Sequence, residues 1–449
     1  MRQQIGVLAI LAACSGLSAW DAAGQTATAA EGLDALKRGD YTGAVQALAP
    51  LARAGDGSAL RGLFYAHYES GALDEAEAAA RQGVTSQTPG AESLLGRILM
   101  DRGHLDESRK VLKAASDKQT PGGAQARLNL GVLEYTYGDR ERAYELFDSF
   151  IDYYNQGRRL GYEDLAAVGT AMVYLSRRVP DLAHDALRAL DEAEAAGARD
   201  HRARLATGRL FLERYDAAHA SESFRAVLRE NQKHPEALQG LAMVAQLEGG
   251  GDPQGLLESA LEGNPNLVQA RVLLARIRLM GGDRPGAFDE IDKALEVNPA
   301  DLDALATAAA IHHLTHDTSA FQETLAQIES LSRAPTGAYE LMAELSADHR
   351  KYADAVDFGR RAVAADSTAW TGLGLMGLNQ VRLGQVVPGR ANLERAFAGD
   401  PFNLWFKNTL DLLDTFAEYR VVESEHFRFV LHESEADLLE PYIAPLAER

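Results

Sequence analysis

Apolar and small residues recur along residues 31–400 with the spacing of amphipathic helices, and short polar turns separate one helix from the next. Within each unit, one helix ends in a glycine followed by a polar residue, and a second helix with small residues at regular intervals follows. Glycine at that position can adopt the positive φ that ends a helix. The pattern predicts an all-α region of about eleven helix pairs.

Two landmarks repeat along this region with a period of about 34 residues. One is the glycine between the helices of a pair, found at Gly39, Gly71, Gly103, Gly138, Gly282 and Gly384. The other closes a pair, where proline cannot continue the helix; it is found at Asn264-Pro265, Asn298-Pro299 and Asp400-Pro401. A fixed period of this length is typical of repeat proteins, whose units bury their apolar faces only by stacking.

The unit VLLARIRLMGGDRPGAFDEIDKALEVNPAD at residues 272–301 resembles the tetratricopeptide repeat. Ala275, Gly282 and Pro299 lie where that family places small, turn and proline residues. The resemblance implies an α-α superhelical solenoid over residues 31–400, with the first helix of each pair lining the concave surface. It specifies architecture and says little about function.

Residues 1–20 are typical of a signal peptide. Arg2 precedes an apolar run at residues 5–13 that is too short to span a membrane. The Leu-Ala-Ala-Cys stretch that ends at Cys14 is similar to a bacterial lipobox, which implies that Cys14 is lipidated. Cleavage slightly later, after Ser18, is the alternative. Either outcome predicts an exported protein of the periplasm or cell envelope, and lipidation would make it an outer-membrane lipoprotein.

Composition and charge narrow the classes of partner. Small residues at 21–30 predict a flexible linker. The chain is 46% hydrophobic and 24% charged, as expected for a folded protein. Its 65 acidic residues exceed its 45 basic residues, which gives a net charge of −20. Nucleic acids and anionic membranes are recognised by basic surfaces, so we expect no nucleic-acid partner and membrane contact only through the lipid anchor.

A protein or peptide ligand in the concave groove is the function that the repeat resemblance implies. Aromatic and arginine side chains are frequent anchors for such ligands. Mapped onto the first helices, the candidate groove positions are Tyr65, Tyr68, Glu69, Arg97, Asp101, Tyr135, Arg276 and Met280. For Tyr65 and Tyr135, packing between helices is the alternative interpretation.

The period changes after Pro401. Residues 401–418 predict a helix that caps the last repeat. Within residues 419–449, YRVVES and FRFVLH alternate as two short strands do, and a helix N-capped by Ser434 follows. This β-β-α order resembles the start of a peptidase MA-like zinc metallopeptidase domain. In that family the H-E-x-x-H zinc helix lies further downstream.

The sequence contains no recognisable catalytic or metal-binding set. His432-Glu433 starts like H-E-x-x-H, but Ala436 stands in place of the second histidine. In IHHLTHD, His312 and His316 have a helical spacing that zinc can use, but no glutamate lies between them. We therefore expect no cofactor, no metal and no catalysis by this chain.

Two functional hypotheses follow from the sequence. In the first, the chain is an exported, non-catalytic scaffold for protein–protein interaction in the cell envelope. In the second, it is the N-terminal scaffold part of a zinc metallopeptidase whose catalytic domain is missing from this sequence. The DNA that follows codon 449 distinguishes the two.

Overall fold

The computed structural model describes residues 28–117, 122–156, 159–197 and 200–449. The signal peptide, Cys14 and most of the linker that the sequence predicts lie outside these ranges. The described residues form 24 α-helices, one short 3-10 helix and one two-stranded sheet. This confirms the predicted fold class, an α-α solenoid followed by a short β-β-α segment. None of the described helices has the length and apolar character needed to cross a membrane.

Eleven helix hairpins follow one another along the chain. The first six comprise α1 (Ala29–Lys37) and α2 (Tyr41–Arg53), α3 (Gly57–Glu69) and α4 (Leu73–Thr85), α5 (Ala91–Asp101) and α6 (Leu105–Ser116), α7 (Gly123–Tyr137) and α8 (Arg140–Asn155), α9 (Tyr162–Ser176) and α10 (Leu182–Ala195), and α11 (Arg202–Glu213) and α12 (Ala217–Glu230). The other five comprise α13 (Pro235–Glu248) and α14 (Pro253–Gly263), α15 (Val268–Met280) and α16 (Arg284–Val297), α17 (Leu302–Leu314) and α18 (Thr318–Leu331), α19 (Thr336–Asp348) and α20 (Tyr352–Ala365), and α21 (Trp370–Arg382) and α22 (Val386–Gly399).

The odd-numbered helices form the inner layer of the solenoid. They hold most of the buried residues and contact one another from pair to pair, as α5, α7 and α9 do. Glycines on this layer make room for large side chains of the outer layer: a Cβ on Gly131 of α7 would lie 2.5 Å from the ring of Phe147 on α8. The alternation of small and large residues in the sequence therefore reflects close packing within each pair.

The turn inside the first pair explains the glycine-aspartate landmark. Gly39 ends α1 with a φ of +78°, and Asp40 then caps α2 by accepting a hydrogen bond from the N–H of Gly43 over 2.9 Å. Asp283 caps α16 in the same way. A side-chain acceptor at this position satisfies one of the free N–H groups of the helix start. Gly138 is the landmark glycine that departs from the predicted left-handed turn, with a φ of −116°.

After six pairs, the superhelix returns over its own beginning. Hydrogen bonds join loops of the second half to hairpins that lie 188 to 196 residues earlier. Asn264 Nδ2 donates to the backbone O of Tyr68 over 3.2 Å, and Ser332 Oγ donates to the O of Thr136 over 2.8 Å. The pairs from α1 to α12 therefore form one superhelical turn, and the helices from α13 onward form a second turn stacked on it.

We call the contact between the two turns the inter-turn seam. Its second-turn side consists of the loops that begin at Asn231, Asn264, Asn298, Ser332, Asp366 and Asp400. These six residues end their helices in extended backbone, with φ between −129° and −150°. The residues that follow α2, α4, α6, α8 and α10 keep φ between −66° and −84°. The extended conformation directs only the second-turn loops onto the neighbouring turn.

Three glycines of the first turn lie directly under seam asparagines. A Cβ on Gly39, Gly71 or Gly103 would lie 2.3, 2.6 or 2.7 Å from the Oδ1 of Asn231, Asn264 or Asn298, respectively. Gly282 has the same backbone conformation, φ +82°, but nothing lies within 4 Å of its missing Cβ. The first-turn glycines therefore serve two purposes, left-handed backbone and close approach of the next turn.

A matched pair of substitutions tests the seam. Gly71→Ala and Gly282→Ala both place a side chain on left-handed backbone, which costs about 1–2 kcal/mol. Only Gly71→Ala also pushes against Asn264, and we expect it to lower the free energy of unfolding by roughly 1–3 kcal/mol more than Gly282→Ala does. Chemical denaturation followed by circular dichroism measures both. Equal losses would contradict a closed seam.

The chain ends in a small mixed segment. α23 (Leu404–Thr415) packs on the last pair, and a 3-10 helix at Phe416–Glu418 leads into β1 (Tyr419–Glu423), β2 (Arg428–His432) and α24 (Glu433–Ala447). The strands pair antiparallel, with Val421 opposite Val430. The sequence predicted Ser434 as the N-cap of the last helix, which is wrong: His432 is the cap, and its Nδ1 accepts from the N–H of Ser434 over 3.3 Å.

Candidate functional site

Five of the eight predicted groove residues come together on the inner layer of the first turn. Tyr65, Tyr68 and Glu69 lie on α3, and Arg97 and Asp101 lie on α5. The hydroxyl of Tyr68 donates to Asp101 over 2.8 Å, and Arg97 donates to Asp101 over 2.6 Å and to the Tyr68 hydroxyl over 3.0 Å. These three side chains satisfy one another and form a closed polar network.

These three side chains also line a cavity of about 280 Å³, whose other walls belong mostly to later repeats. Arg209 of α11 donates to Glu236 of α13, so one wall of the cavity is an ion pair between the two turns. Gln269 and Asp301 of the second turn line the same cavity, together with Tyr68 and the Arg97–Asp101 pair. Superhelical closure therefore places charged side chains of distant repeats side by side.

Opposite walls of the first turn also touch across the superhelix axis. Arg61 of α3 lies 3.8 Å from Glu163 of α9, three repeats away. Arg202 of α11 donates to Glu163 over 2.8 Å, and its guanidinium lies 4.8 Å from the ring centre of Tyr65. Side chains from opposite walls therefore meet within the concave surface, beside a cavity of about 470 Å³ that Arg61, Tyr65 and Arg202 also line. We call this set the axial core: Arg61, Tyr65, Tyr68, Arg97, Asp101, Glu163, Asp200, Arg202, Arg209 and Glu236.

Burial governs the protonation of the axial core. It raises the pKa of Tyr65 to about 12 and the pKa of Glu69 well above its usual range. Burial acts on Asp200 in the same direction, but the charge and hydrogen bonds of Arg202 outweigh it and hold the pKa of Asp200 below its usual value. Asp200 is thus matched within the chain, whereas burial favours the protonated form of Glu69, which lies beside Tyr68 on α3.

The other three predicted positions lie apart from the axial core. Tyr135 packs edge to face against Tyr174, at 5.3 Å between ring centres, and the guanidinium of Arg140 lies 4.6 Å from its ring centre. Arg276 donates to Glu344 of α19 over 2.7 Å. Met280, at the end of α15, is 56% exposed. The structure does not bring these residues into one groove with the first five.

The histidine segment does not keep the spacing that the sequence suggested. α17 ends at Leu314, and His316 takes the left-handed turn position with a φ of +62°. His313 instead bonds Asp354 of α20 over 2.9 Å. Because the helix stops early, His312 and His316 do not share a helical face. Within the ranges that the structure describes, no three His, Cys, Asp or Glu side chains are grouped to hold a metal ion.

Sequence reasoning missed two sets of residues. Glu163, Arg202 and Glu236 complete the axial core, but their role depends on which repeats face each other across the axis. The seam asparagines were interpreted only as helix ends. The sequence did carry a signal for them, since the Asn-Pro landmark is found at Asn264 and Asn298 but after none of the first six pairs.

The succession of stacked helix hairpins defines an α-solenoid. Residues 29–92 and 93–157, which contain the first four hairpins, each match the tetratricopeptide repeat family. No curated protein matches the chain.

Solved structures share a partial likeness with the chain. One is the APC/C hetero-tetramer Cut9-Hcn1, with 12% identity, a TM-score of 0.33, and coverage of 85% of this chain and 94% of that chain. Another is a tetratricopeptide repeat protein from Parabacteroides merdae, with 16% identity, a TM-score of 0.37, and 60% and 98% coverage. A third is a human IFIT1 dimer with PPP-AAAA, with 14% identity, a TM-score of 0.41, and 81% and 94% coverage. Scores this low carry no information on function.

A buried carboxyl on the inner layer of the second turn gives a pH-dependent prediction. Burial raises the pKa of Glu340 on α19 to about 7, although its Oε1 accepts a hydrogen bond from the N–H of Gly372 over 2.9 Å. Between its ordinary value of 4.5 and about 7, only the unfolded chain ionises this group. The native state therefore loses stability as the pH rises through that window.

Replacing Glu340 with Gln removes this loss while keeping an oxygen acceptor for Gly372. We expect Glu340→Gln to raise the free energy of unfolding by about 1–3 kcal/mol above pH 7, and to have little effect near pH 4.5. Glu344→Gln on the same helix is the control, because Glu344 is half exposed. Denaturation series at the two pH values measure both. A gain that is the same at both pH values would be inconsistent with this prediction.

Proposed function

We propose that the chain is an exported helical-repeat scaffold that binds protein partners in the cell envelope. The tetratricopeptide repeats support this class of function. The contacts across the axis argue against the concave groove as the main contact surface, because a ligand there would have to separate pairs such as Arg61–Glu163. Partners are therefore expected to bind at the ends of the solenoid or on its outer wall.

The distribution of exposed apolar side chains favours one of these surfaces over the other. Thirteen of the sixteen large apolar side chains that are exposed in the described residues come after Arg382. Trp405 and Leu412 of α23 are among them. Large exposed apolar surfaces are typical of protein-binding sites. We infer that the C-terminal end of the solenoid is the partner-binding surface.

Site-specific photo-crosslinking in cells tests this proposal. A photoreactive residue in place of Trp405 is expected to form an adduct with one defined protein. The same residue in place of Val179, which is also exposed but lies in the α9–α10 turn, is expected to form none. The captured protein must then bind the purified chain, and Trp405→Ser must weaken that binding about tenfold or more. Equal adducts at both positions would place the contact elsewhere.

The lipid anchor on Cys14 is a separate part of the proposal and rests on the lipobox-like sequence. Mass spectrometry of the mature protein is expected to show Cys14 as the N-terminal residue with added acyl mass. Cys14→Ala is expected to release the protein from the membrane fraction. A mature N-terminus beyond Cys14, without acyl mass, would disprove the anchor and leave export intact.

The second candidate function is the scaffold part of a zinc metallopeptidase. The order β1, β2, α24 favours it, because this is the order that resembles the start of the peptidase domain. A two-stranded sheet is also marginal on its own and gains stability from further strands or helices. An open reading frame that continues past codon 449 into H-E-x-x-H would support this function over the scaffold alone.

A further inference from the structure

The last helix has two apolar faces, and only one of them is covered. Ala436 is fully buried where α24 packs on the two strands. On the other face, Leu438, Tyr442 and Leu446 follow one another at intervals of four residues and are 70%, 72% and 72% exposed. Residues at this spacing form one stripe along a helix. We call these three side chains the α24 stripe.

Backbone acceptors border the α24 stripe. α24 contains Pro441 and Pro445, which have no N–H to donate. The carbonyl groups of Asp437 and Pro441, four residues earlier, therefore lose their usual donors within the helix. Both positions lie next to the stripe on the helix surface, so they offer partial negative charge beside the apolar side chains.

The segment around the stripe is also more acidic than the rest of the chain. Residues 401–449 contain ten Asp and Glu but four Lys and Arg, a net charge of −6, while the other 400 residues carry −14. Glu435 is exposed at the start of the stripe. Asp437 beside it accepts a hydrogen bond from Arg420 over 2.7 Å, although its side chain is 92% exposed. An apolar stripe with an acidic border complements a partner that is apolar and basic.

This charge pattern favours one of the molecules that could bind to this face of α24. A second copy of the chain would bring one acidic segment against another, and like charges at close range are costly. An anionic membrane surface would be repelled in the same way. A helix of a partner protein with an apolar stripe bordered by Lys and Arg matches both the shape and the charge of this face.

We propose that the α24 stripe binds a cationic amphipathic helix of a partner protein. This inference rests on the proposed function, since it names the chemistry of the partner at the C-terminal end. From Leu438 to Leu446 the stripe extends over eight residue steps, about 12 Å along the helix axis, which is enough for two turns of a helix laid alongside it. Lysine or arginine side chains of that helix would reach Glu435 and the carbonyl groups of Asp437 and Pro441.

The test uses the full chain and labelled peptides, with binding measured by fluorescence anisotropy. The probe is an 18-residue amphipathic helix of Leu and Lys. We expect it to bind at least tenfold more tightly than the same helix with Glu in place of Lys, and than a Leu/Lys peptide with scrambled order. We also expect its affinity to fall as salt concentration rises. Equal binding of the three peptides would overturn the proposal.

Variants of the chain locate the binding. Leu438→Ser and Tyr442→Ser are expected to weaken the Leu/Lys helix about tenfold each. Val179→Ser, a change at an exposed apolar side chain far along the chain, is expected to leave binding unchanged. Because Leu438 and Tyr442 are mostly exposed, circular dichroism should show no loss of folding. Undiminished binding by Leu438→Ser would place the peptide elsewhere on this acidic protein and overturn the proposal.

Two further measurements separate the other occupants. Self-association detected by light scattering and abolished by Leu438→Ser would assign the stripe to a second copy. Binding to phosphatidylglycerol vesicles that is lost in the same variant would assign it to a membrane. Either result overturns the cationic helix but leaves the scaffold function open. Failure of crosslinking from Trp405, by contrast, counts against the partner-binding end itself.

Discussion

The architecture depends on polar contacts that loops of the second turn make with the hairpins of the first. Asn264 is buried, so its amide needs a partner. It finds one in the carbonyl group of Tyr68 near the end of α3, which also accepts from the N–H of Gly71 over 3.1 Å. Ser332 meets the same need at the end of α7. Each such bond contributes about 1 kcal/mol, and the array of them fixes the pitch.

The fixed geometry of the superhelix also determines which side chains of the inner layer meet. Side chains from repeats far apart in the chain approach within bonding distance, as Arg61 and Glu163 do. The pair of Arg202 with Asp200 is more enclosed, with side chains 23% and 11% exposed, so breaking it would leave a mostly buried charge without a partner. The inner surface is thus polar and bonded to itself, whereas exposed apolar side chains, the basis of the proposed partner site, lie mostly at the end of the solenoid.

Most of the fold could be predicted from the sequence, because helix periodicity, glycine turns and aspartate caps are local signals. The 34-residue period predicted the helix hairpins, and the alternation of apolar and polar residues predicted the two strands. The number of repeats in one superhelical turn could not be predicted, because it accumulates from small rotations between neighbouring units. For that reason Tyr68, Arg97 and Asp101 were assigned to the inner surface, while their neighbours Arg209 and Glu236 were missed.

A turn of six repeats also limits how the gene can grow by duplication. One more unit between α6 and α7 would lengthen the path from each of the first three hairpins to its loop. Asn264 would then face the hairpin of Gly103 in place of Gly71, and Asn298 would face the added unit. The same unit added beyond α22 would leave every existing contact in register. Repeat arrays of this kind can therefore lengthen at their ends far more readily than in their middle.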